Sequence, residues 1–367
     1  MAAMKHIICT VTNDLTYDQR MQRICSSLAD NGYAVTLVGR VLGHSQPLRD
    51  FPFQQHRLQC FSNTGKLFYV EFNIRLFIYL LRQNYDIAYA VDLDTILPQF
   101  LAARLRRKPC IYDAHEYFTE TPEVVRRPLV QKIWAFIAGR TIPQMAACLT
   151  VGNGLAQLLG ERYRKEFSVV RNMPFRQSEV PAKIPTSPYI ILYQGMLNEG
   201  RGLEAMIAAM KEISDAELWL VGEGDLSDEI RGLVQEYEVT DKVQFLGFVP
   251  PDQLKAITLQ ADIGINLLEN KGLSYYYSLA NKAFDYVQAD LPSLQMNFPE
   301  YRHLNEEIAC FVLIDDLQTS SITLAIQKLQ NDPLYYTQLQ QNCHLAAQQW
   351  NWENEQRTLL NIVCSLY

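Results

Sequence analysis

Short apolar runs recur along the chain, and the stretches between them place apolar residues at helical spacing. HIICTVTN (6–13) leads into YDQRMQRICSSLADNG, a helical stretch that stops at Gly32, and then into AVTLVGR (34–40). IAYAVD (87–92), PCIYDAH (109–115) and ACLTVG (147–152) repeat the theme, each followed by a helical segment. Runs that are apolar throughout suit strands covered on both faces of a parallel sheet. Strands alternating with helices imply βαβ units. The alternation pauses at NMPFRQSEVPAKIPTSP (172–188), which holds four prolines and few large apolar residues. It then resumes through YIILYQG (189–195), AELWLVGEG (216–224), KVQFLG (242–247), ADIGINLL (261–268), LPSLQ (291–295) and CFVLID (310–315). The expected fold is α/β, with two Rossmann-like parallel-sheet domains at 1–172 and 189–348, a linker at 173–188 and a last segment at 349–367. Open sheets of this kind bind ligands beyond the carboxyl ends of their strands, so two of them are expected to face a central cleft.

Composition narrows the partners. The formal net charge of the 367 residues is −7, which argues against nucleic acid, because a phosphate-binding footprint needs a basic excess. Eight cysteines are scattered without CxxC spacing, and Cys9, Cys110, Cys148 and Cys310 sit in or beside apolar runs. That pattern suggests small hydrophobes in a reducing compartment. The first residues enter a strand without the pattern of a signal peptide, and no stretch approaches the roughly 20 consecutive apolar residues of a spanning helix. The expectation is a soluble cytoplasmic protein. One helix, LFYVEFNIRLFIYLLRQN (67–84), is apolar-rich with few charges, and LRRK (105–108) and VRRP (125–128) add basic spots in the same half. Such a face either packs on its own sheet or rests weakly on the inner face of an anionic membrane.

Candidate chemistry clusters after the apolar runs. The first strand–helix loop, TVTNDLTYDQR, has no glycine, which excludes an ordinary dinucleotide-binding loop. VDLDT (91–95) brings Asp92 and Asp94 together, either as carboxylates for a divalent metal or as a helix N-cap. YDAHEYFTETPE (112–123) sets His115 and Glu116 at a strand end, where His115 is a general base, a hydrogen-bonding group or a structural histidine. YQGMLNEGRGLE (193–204) carries Gly195, Asn198, Gly200 and Arg201 between a strand and a helix. Glycines there let backbone approach a ligand, and arginine pairs with phosphate; the alternative is a plain turn. LVGEGDL (220–226) is a second glycine-rich strand end with Glu223. SLANKAFDYVQADLPSLQ (278–295) opens a helix on Asn281 and Lys282. A cation in the first turn opposes the helix dipole unless an anion sits nearby. Asp285 follows one turn later, so Arg201, Lys282 and Asp285 together suit a nucleoside diphosphate.

These motifs, with VTNDLTYDQRMQRICSSLADNGYAVTLVGR and VQFLGFVPPDQL, resemble retaining glycosyltransferases of the GT-B fold, in the large bacterial group that uses nucleotide-sugar donors (family 4-like, "glycosyl transferases group 1"). The resemblance covers nearly the whole chain. It implies that the second domain binds the donor, with Arg201 and Lys282 on the diphosphate and Asp285 on the ribose. Glu223 and Phe248 would lie near the base, with Gly195, Asn198, Gly200, Tyr277 and Asn281 completing the donor site. Asp14, Arg20, Asp92, His115 and Glu116 would line the acceptor side, and His115, Arg201 and Lys282 would act in catalysis. It further implies a last segment that crosses back to the first domain, a glycan or lipid-linked acceptor in cell-surface polysaccharide synthesis, and no obligatory metal or other cofactor. The chain departs from the family at three places. Tyr277 stands for the first of two glutamates separated by seven intervening residues, Asp285 for the second, and Met196 for an arginine. A catalytically weak binding or scaffold protein, or an epimerase of the same fold, are the competing readings.

Overall fold

The computed structural model describes residues 4–43, 45–62, 64–177, 180 and 184–366. The chain forms two compact units. The first runs to Asn172 and takes in the stretch from Glu355 onward; the second is Met173–Asn354.

The first unit is built on a seven-stranded parallel sheet. Its strands are β1 (His6–Thr10), β2 (Ala34–Arg40), β3 (Gln54–Leu58), β4 (Ile87–Val91), β5 (Cys110–Ala114), β6 (Ala147–Thr150) and β7 (Ser168–Val169), in spatial order 3-2-1-4-5-6-7. β1 pairs with β2 on one side, His6 opposite Ala34, and with β4 on the other, Ile7 opposite Ile87. The chain thus winds outward from β1 in both directions, and the loops after β1 and β4 diverge at that switch point. β4 and β5 are buried at every position, as their unbroken apolar runs require. The edge strands β3 and β7 are partly exposed and more polar, and they were not among the expected strands.

The second unit repeats the plan with six parallel strands. These are β8 (Tyr189–Gln194), β9 (Ala216–Val221), β10 (Val243–Gly247), β11 (Ile263–Asn266), β12 (Ser293–Met296) and β13 (Phe311–Ile314), in order 10-9-8-11-12-13. Its switch point lies between β8 and β11. Ile191, Leu218, Ile263 and Leu294 form the sheet's contribution to a dry core, covered by Phe284 and Trp350. The Trp350 ring lies 6.1 Å from Phe311 and 6.4 Å from Phe284. Each such side chain contributes about 1.5–3 kcal/mol by leaving water.

The proline-rich stretch is anchored rather than free where it is described. Met173 is fully buried in the second core, Gln177 N–H donates to Gln288 Oε1 at 3.0 Å, and Thr186 donates to Asp262 through its amide and its hydroxyl at 3.1 and 2.6 Å. Residues 178–179 and 181–183 of that stretch lie outside the described residues. The last helix, Trp352–Cys364, starts in the second unit, where Trp352 N–H donates to Pro174 O at 2.8 Å. It continues in the first, where Glu355 accepts from Arg171 N–H at 2.7 Å and Leu359 and Val363 are fully buried. All eight cysteines are unpaired.

Candidate active site

In the second unit the chemistry gathers at the carboxyl end of β8, beside the switch point. Gly195 follows the strand with φ +140°, a backbone conformation L side chains rarely adopt, and a Cβ there would stand 3.1 Å from Lys282 Nζ. The helix Asn281–Gln288 begins with Asn281, which is exposed, and has no side-chain N-cap bond, so its first turn carries the cation Lys282 without an acidic neighbour in that turn. Lys282 Nζ lies 3.7 Å from the centre of the Tyr193 ring, a cation–π contact in place of a carboxylate partner. Burial first, and the Arg201 guanidinium second, push the Lys282 ammonium well below the usual lysine range, while Asp285 pulls the other way. Arg201 lies over the Tyr275 ring at 5.4 Å. A half-buried lysine depressed by a neighbouring guanidinium, at a glycine-lined strand end, makes a place that gains by receiving an anion.

The remaining donor-side residues take distinct places. Asp285 accepts from Gln194 Nε2 at 3.1 Å, and Gln194 in turn accepts from Thr258 Oγ1 at 2.9 Å, so the carboxylate is steered toward the end of β8. Asn198 Oδ1 accepts from Asp225 N–H at 3.0 Å, tying the loop after β8 to the loop after β9. Gly200 has φ +79° and its carbonyl accepts from Glu269 N–H at 3.0 Å, stitching this loop to the one after β11. Glu223 is exposed and bonded to Arg231 Nη2 at 2.8 Å. Phe248 and Met196 are each 60% exposed. Tyr277 is half-buried, edge-on to Tyr276 at 5.2 Å.

The first unit holds a second cluster, at the carboxyl ends of β4 and β5. Asp113, the fourth residue of β5, is fully buried and grips Arg20 from the helix Gln19–Asp30: Nη2 to Oδ1 is 2.8 Å and Nε to Oδ2 is 3.2 Å. Tyr89 of β4 donates to the same carboxylate at 2.9 Å, and Arg20 Nη1 donates to Val170 O at 2.8 Å. Burial works to raise the Asp113 carboxyl, but Arg20 and His115 outweigh it and hold it well below the usual range. His115 sits at the edge of this network. Its amide donates to Asp92 Oδ1 at 2.9 Å, and its Nε2 lies 2.9 Å from Arg20 Nε and 3.2 Å from Asp113 Oδ2. Protonated, Nε2–H donates to Asp113; neutral, Nε2 accepts from Arg20. Burial lowers its pKa, yet Asp92 and Asp113 together leave it raised.

Arg20 is only 4% exposed, so it reaches the surface through His115 rather than presenting a donor of its own. Asp92 and Asp94 do not converge as a pair. Asp92 opens the helix Asp92–Arg106 at φ +54° and faces His115, whereas Asp94 accepts from Thr12 Oγ1 at 2.5 Å. Neither carboxylate caps that helix, because its N-cap residue is Val91; the N-cap alternative is corrected. Among the described residues no group of three or more His, Cys, Asp and Glu is set to hold a metal. Asp14 folds back on Thr16, with Oδ1 to its amide at 3.1 Å, and Glu116 is exposed just after His115. Sequence reasoning missed Asp113, Tyr89, Tyr193 and Gln194. Asp113 did leave a signal: a charge inside a fully apolar run has to be paired.

Comparison with known proteins matches this two-part layout. The family described as "Glycosyltransferase Family 4" matches residues 19–173, and "Glycosyl transferases group 1" matches residues 175–350. An uncharacterized glycosyltransferase of Methanocaldococcus jannaschii is 39% identical over 77 residues, 20% of each chain. The lipopolysaccharide core biosynthesis glycosyltransferase LpsD of Rhizobium meliloti is 24% identical over 91 residues, 23% of this chain and 26% of the relative. The matched stretches thus span about a fifth to a quarter of those relatives. Anabaena HepE, solved in complex with UDP-glucose, is similar in fold over 98% of this chain and 99% of its own, with a TM-score of 0.75 at 12% identity. Between them the two family matches take in nearly the whole chain, one in each unit, and the protein belongs to the group 1, family 4-like glycosyltransferases of the GT-B fold.

Proposed function

We propose that the protein transfers a sugar, with retention, from a nucleoside-diphosphate sugar to a glycan or lipid-linked acceptor in cell-surface polysaccharide synthesis. The observation that carries this reading is the pair Arg201 and Lys282 at the end of β8, where burial and the Arg201 guanidinium depress Lys282 beside a glycine that lets a ligand approach. A diphosphate laid there favours the charged form of Lys282 and balances both groups. As the sugar's bond to the diphosphate breaks, negative charge grows on the leaving oxygens, and the same cations stabilise it without a metal. Asp285, steered by Gln194, is the group for the ribose hydroxyls. In the first unit His115, held by Asp92, Asp113 and Arg20, offers an oriented ring nitrogen to an acceptor hydroxyl. The name of the Rhizobium relative and the UDP-glucose complex of HepE agree with this donor and product class.

Replacing Arg201 or Lys282 by alanine is expected to lower turnover about 10²–10³-fold, the usual cost of one donor to developing negative charge, with the circular dichroism spectrum unchanged. Unchanged turnover removes the assignment. The exposed Met196 and the neutral Tyr277 support one rival reading, a nucleotide-binding protein with weak or no catalysis. That reading requires nucleotide to raise the melting point while no sugar transfer is found with any acceptor.

A further inference from the structure

The helix Gly65–Arg82 has one ordinary face, on which Phe68, Phe72, Leu76 and Leu80 recur every fourth residue and are buried. Its opposite face is apolar too: Leu67, Val70, Ile74, Ile78 and Leu81 form a second stripe at three- and four-residue steps, each exposed, Leu67 by 74%. A surface helix normally turns polar residues that way. The neighbouring helix Asp92–Arg106 packs against it and contributes exposed Leu105 (68%). The third helix, Pro128–Thr141, packs on the second and contributes Leu129, Ile133 and Phe136, again exposed at helical spacing. Tyr69 and Trp134, 5.8 Å apart and edge-on, join the first helix to the third. The result is an apolar surface shared by three helices on one side of a single sheet, where monomeric proteins keep such patches small.

Charge says what covers it. Residues 95–110 and 125–144, which frame this surface, hold eight lysines and arginines and no acidic residue, in a chain whose net charge is −7. Arg104, Arg107, Lys132 and Arg140 are exposed, and the Arg140 guanidinium stands 5.2 Å over the Phe136 ring. A second copy of the chain meeting this face through a two-fold axis sets these cations against themselves. Apolar stripes among arginines and lysines fit phosphate headgroups above acyl chains. The helices lie on such a surface and do not enter it end-on, since no helix among the described residues is long and apolar enough to cross a membrane. We propose that this three-helix face of the first unit docks the protein, in the plane of the surface, on a bilayer that contains anionic lipid. The proposal is independent of the nucleotide site.

The test is co-sedimentation of the full chain with vesicles of pure phosphatidylcholine or of equal phosphatidylcholine and phosphatidylglycerol. The protein is expected to pellet with the anionic vesicles and to be released by salt. The variant Leu129→Ser/Ile133→Ser/Phe136→Ser is expected to stay in the supernatant. Lys132→Glu/Arg140→Glu is expected to weaken partitioning by about fivefold or more per residue changed, the worth of one basic side chain near an anionic surface. Both change exposed residues outside the proposed nucleotide site, and their melting points in the presence of UDP report whether they fold and still bind. If the apolar variant does not fold, the charge reversal decides alone. Failure of the wild-type chain to pellet at low salt overturns the proposal, as does binding unaffected by the variants. A dimer in sedimentation velocity that the serine variant dissolves also overturns it and assigns the face to a second copy.

Discussion

Asp113 shows how much a single buried charge can organise. Its two oxygens take bonds from Arg20, Tyr89 and His115 in a place with no solvent access. Replacing one member of such a pair leaves the other uncompensated, so Asp113→Asn is expected to cost about 3–5 kcal/mol in urea unfolding. Because its pKa is depressed on folding, that stability is present above the ordinary carboxylate pKa and drains away as the pH falls through the folded value. Asp94 has the opposite sign. Burial, with Asp92 second, raises it to about 7, so its contribution is whole below the ordinary aspartate pKa and is lost as the pH rises toward 7. Asp94→Asn is expected to be more stable than the wild type at neutral pH, by about 1–3 kcal/mol, and to flatten the stability profile between about pH 4 and 7. Wild-type-like pH dependence in that variant refutes the assignment. His115 and Lys282 stood out in the sequence, His115 because it follows a strand among aromatic and acidic residues and Lys282 because it places a cation in the first turn of a helix. Gln194 did not, and Asp113 showed only that it needed a partner, because what they bond depends on which strands lie side by side, and that is settled by tertiary pairing.

At the level of elements, the loop after β8 depends on backbone more than on side chains. Gly202 precedes the helix Leu203–Ala209 at φ +66°, and a Cβ there would fall 2.0 Å from Leu267 O, on the backbone that follows β11. Neither the dihedral nor the contact can relax by turning a side chain. Gly202→Ala is expected to lose about 2–4 kcal/mol, from left-handed strain and displaced backbone together, and to weaken nucleotide binding through the adjacent Arg201. Thermal melting with and without UDP checks both. The buried strands were readable as apolar runs, and most of the helices as periodic ones. β3 (QQHRL) escaped because an edge strand carries polar side chains and borrows its order from one neighbour. The helix Gly65–Arg82 was read as either a core or a surface helix. It carries an apolar stripe on each side, so the sequence period alone did not choose between them.

Across the whole molecule, the two units share a plan. Each has its switch point between its first strand and a later one, and each gathers its polar side chains at the carboxyl ends near that point. With the donor assigned to the second unit, UDP is expected to slow amide hydrogen exchange around β8, β11 and the helix Asn281–Gln288, and to leave β4 and β5 unchanged. Protection in the first unit alone contradicts that assignment. The count of domains and their α/β character were legible from alternation. The strand order was not, since nothing along the chain marks which parallel neighbours will pair.

The first unit is finished by residues from Glu355 onward, after the whole of the second has been made. On a ribosome adding about 5–20 residues per second, the 173–354 stretch takes roughly 10–40 s to emerge. Through that interval Arg171 lacks Glu355, and the surface that will receive Leu359 and Val363 is bare. The half of the protein that holds residues 4–172 is therefore complete only after the 173–354 half has been made.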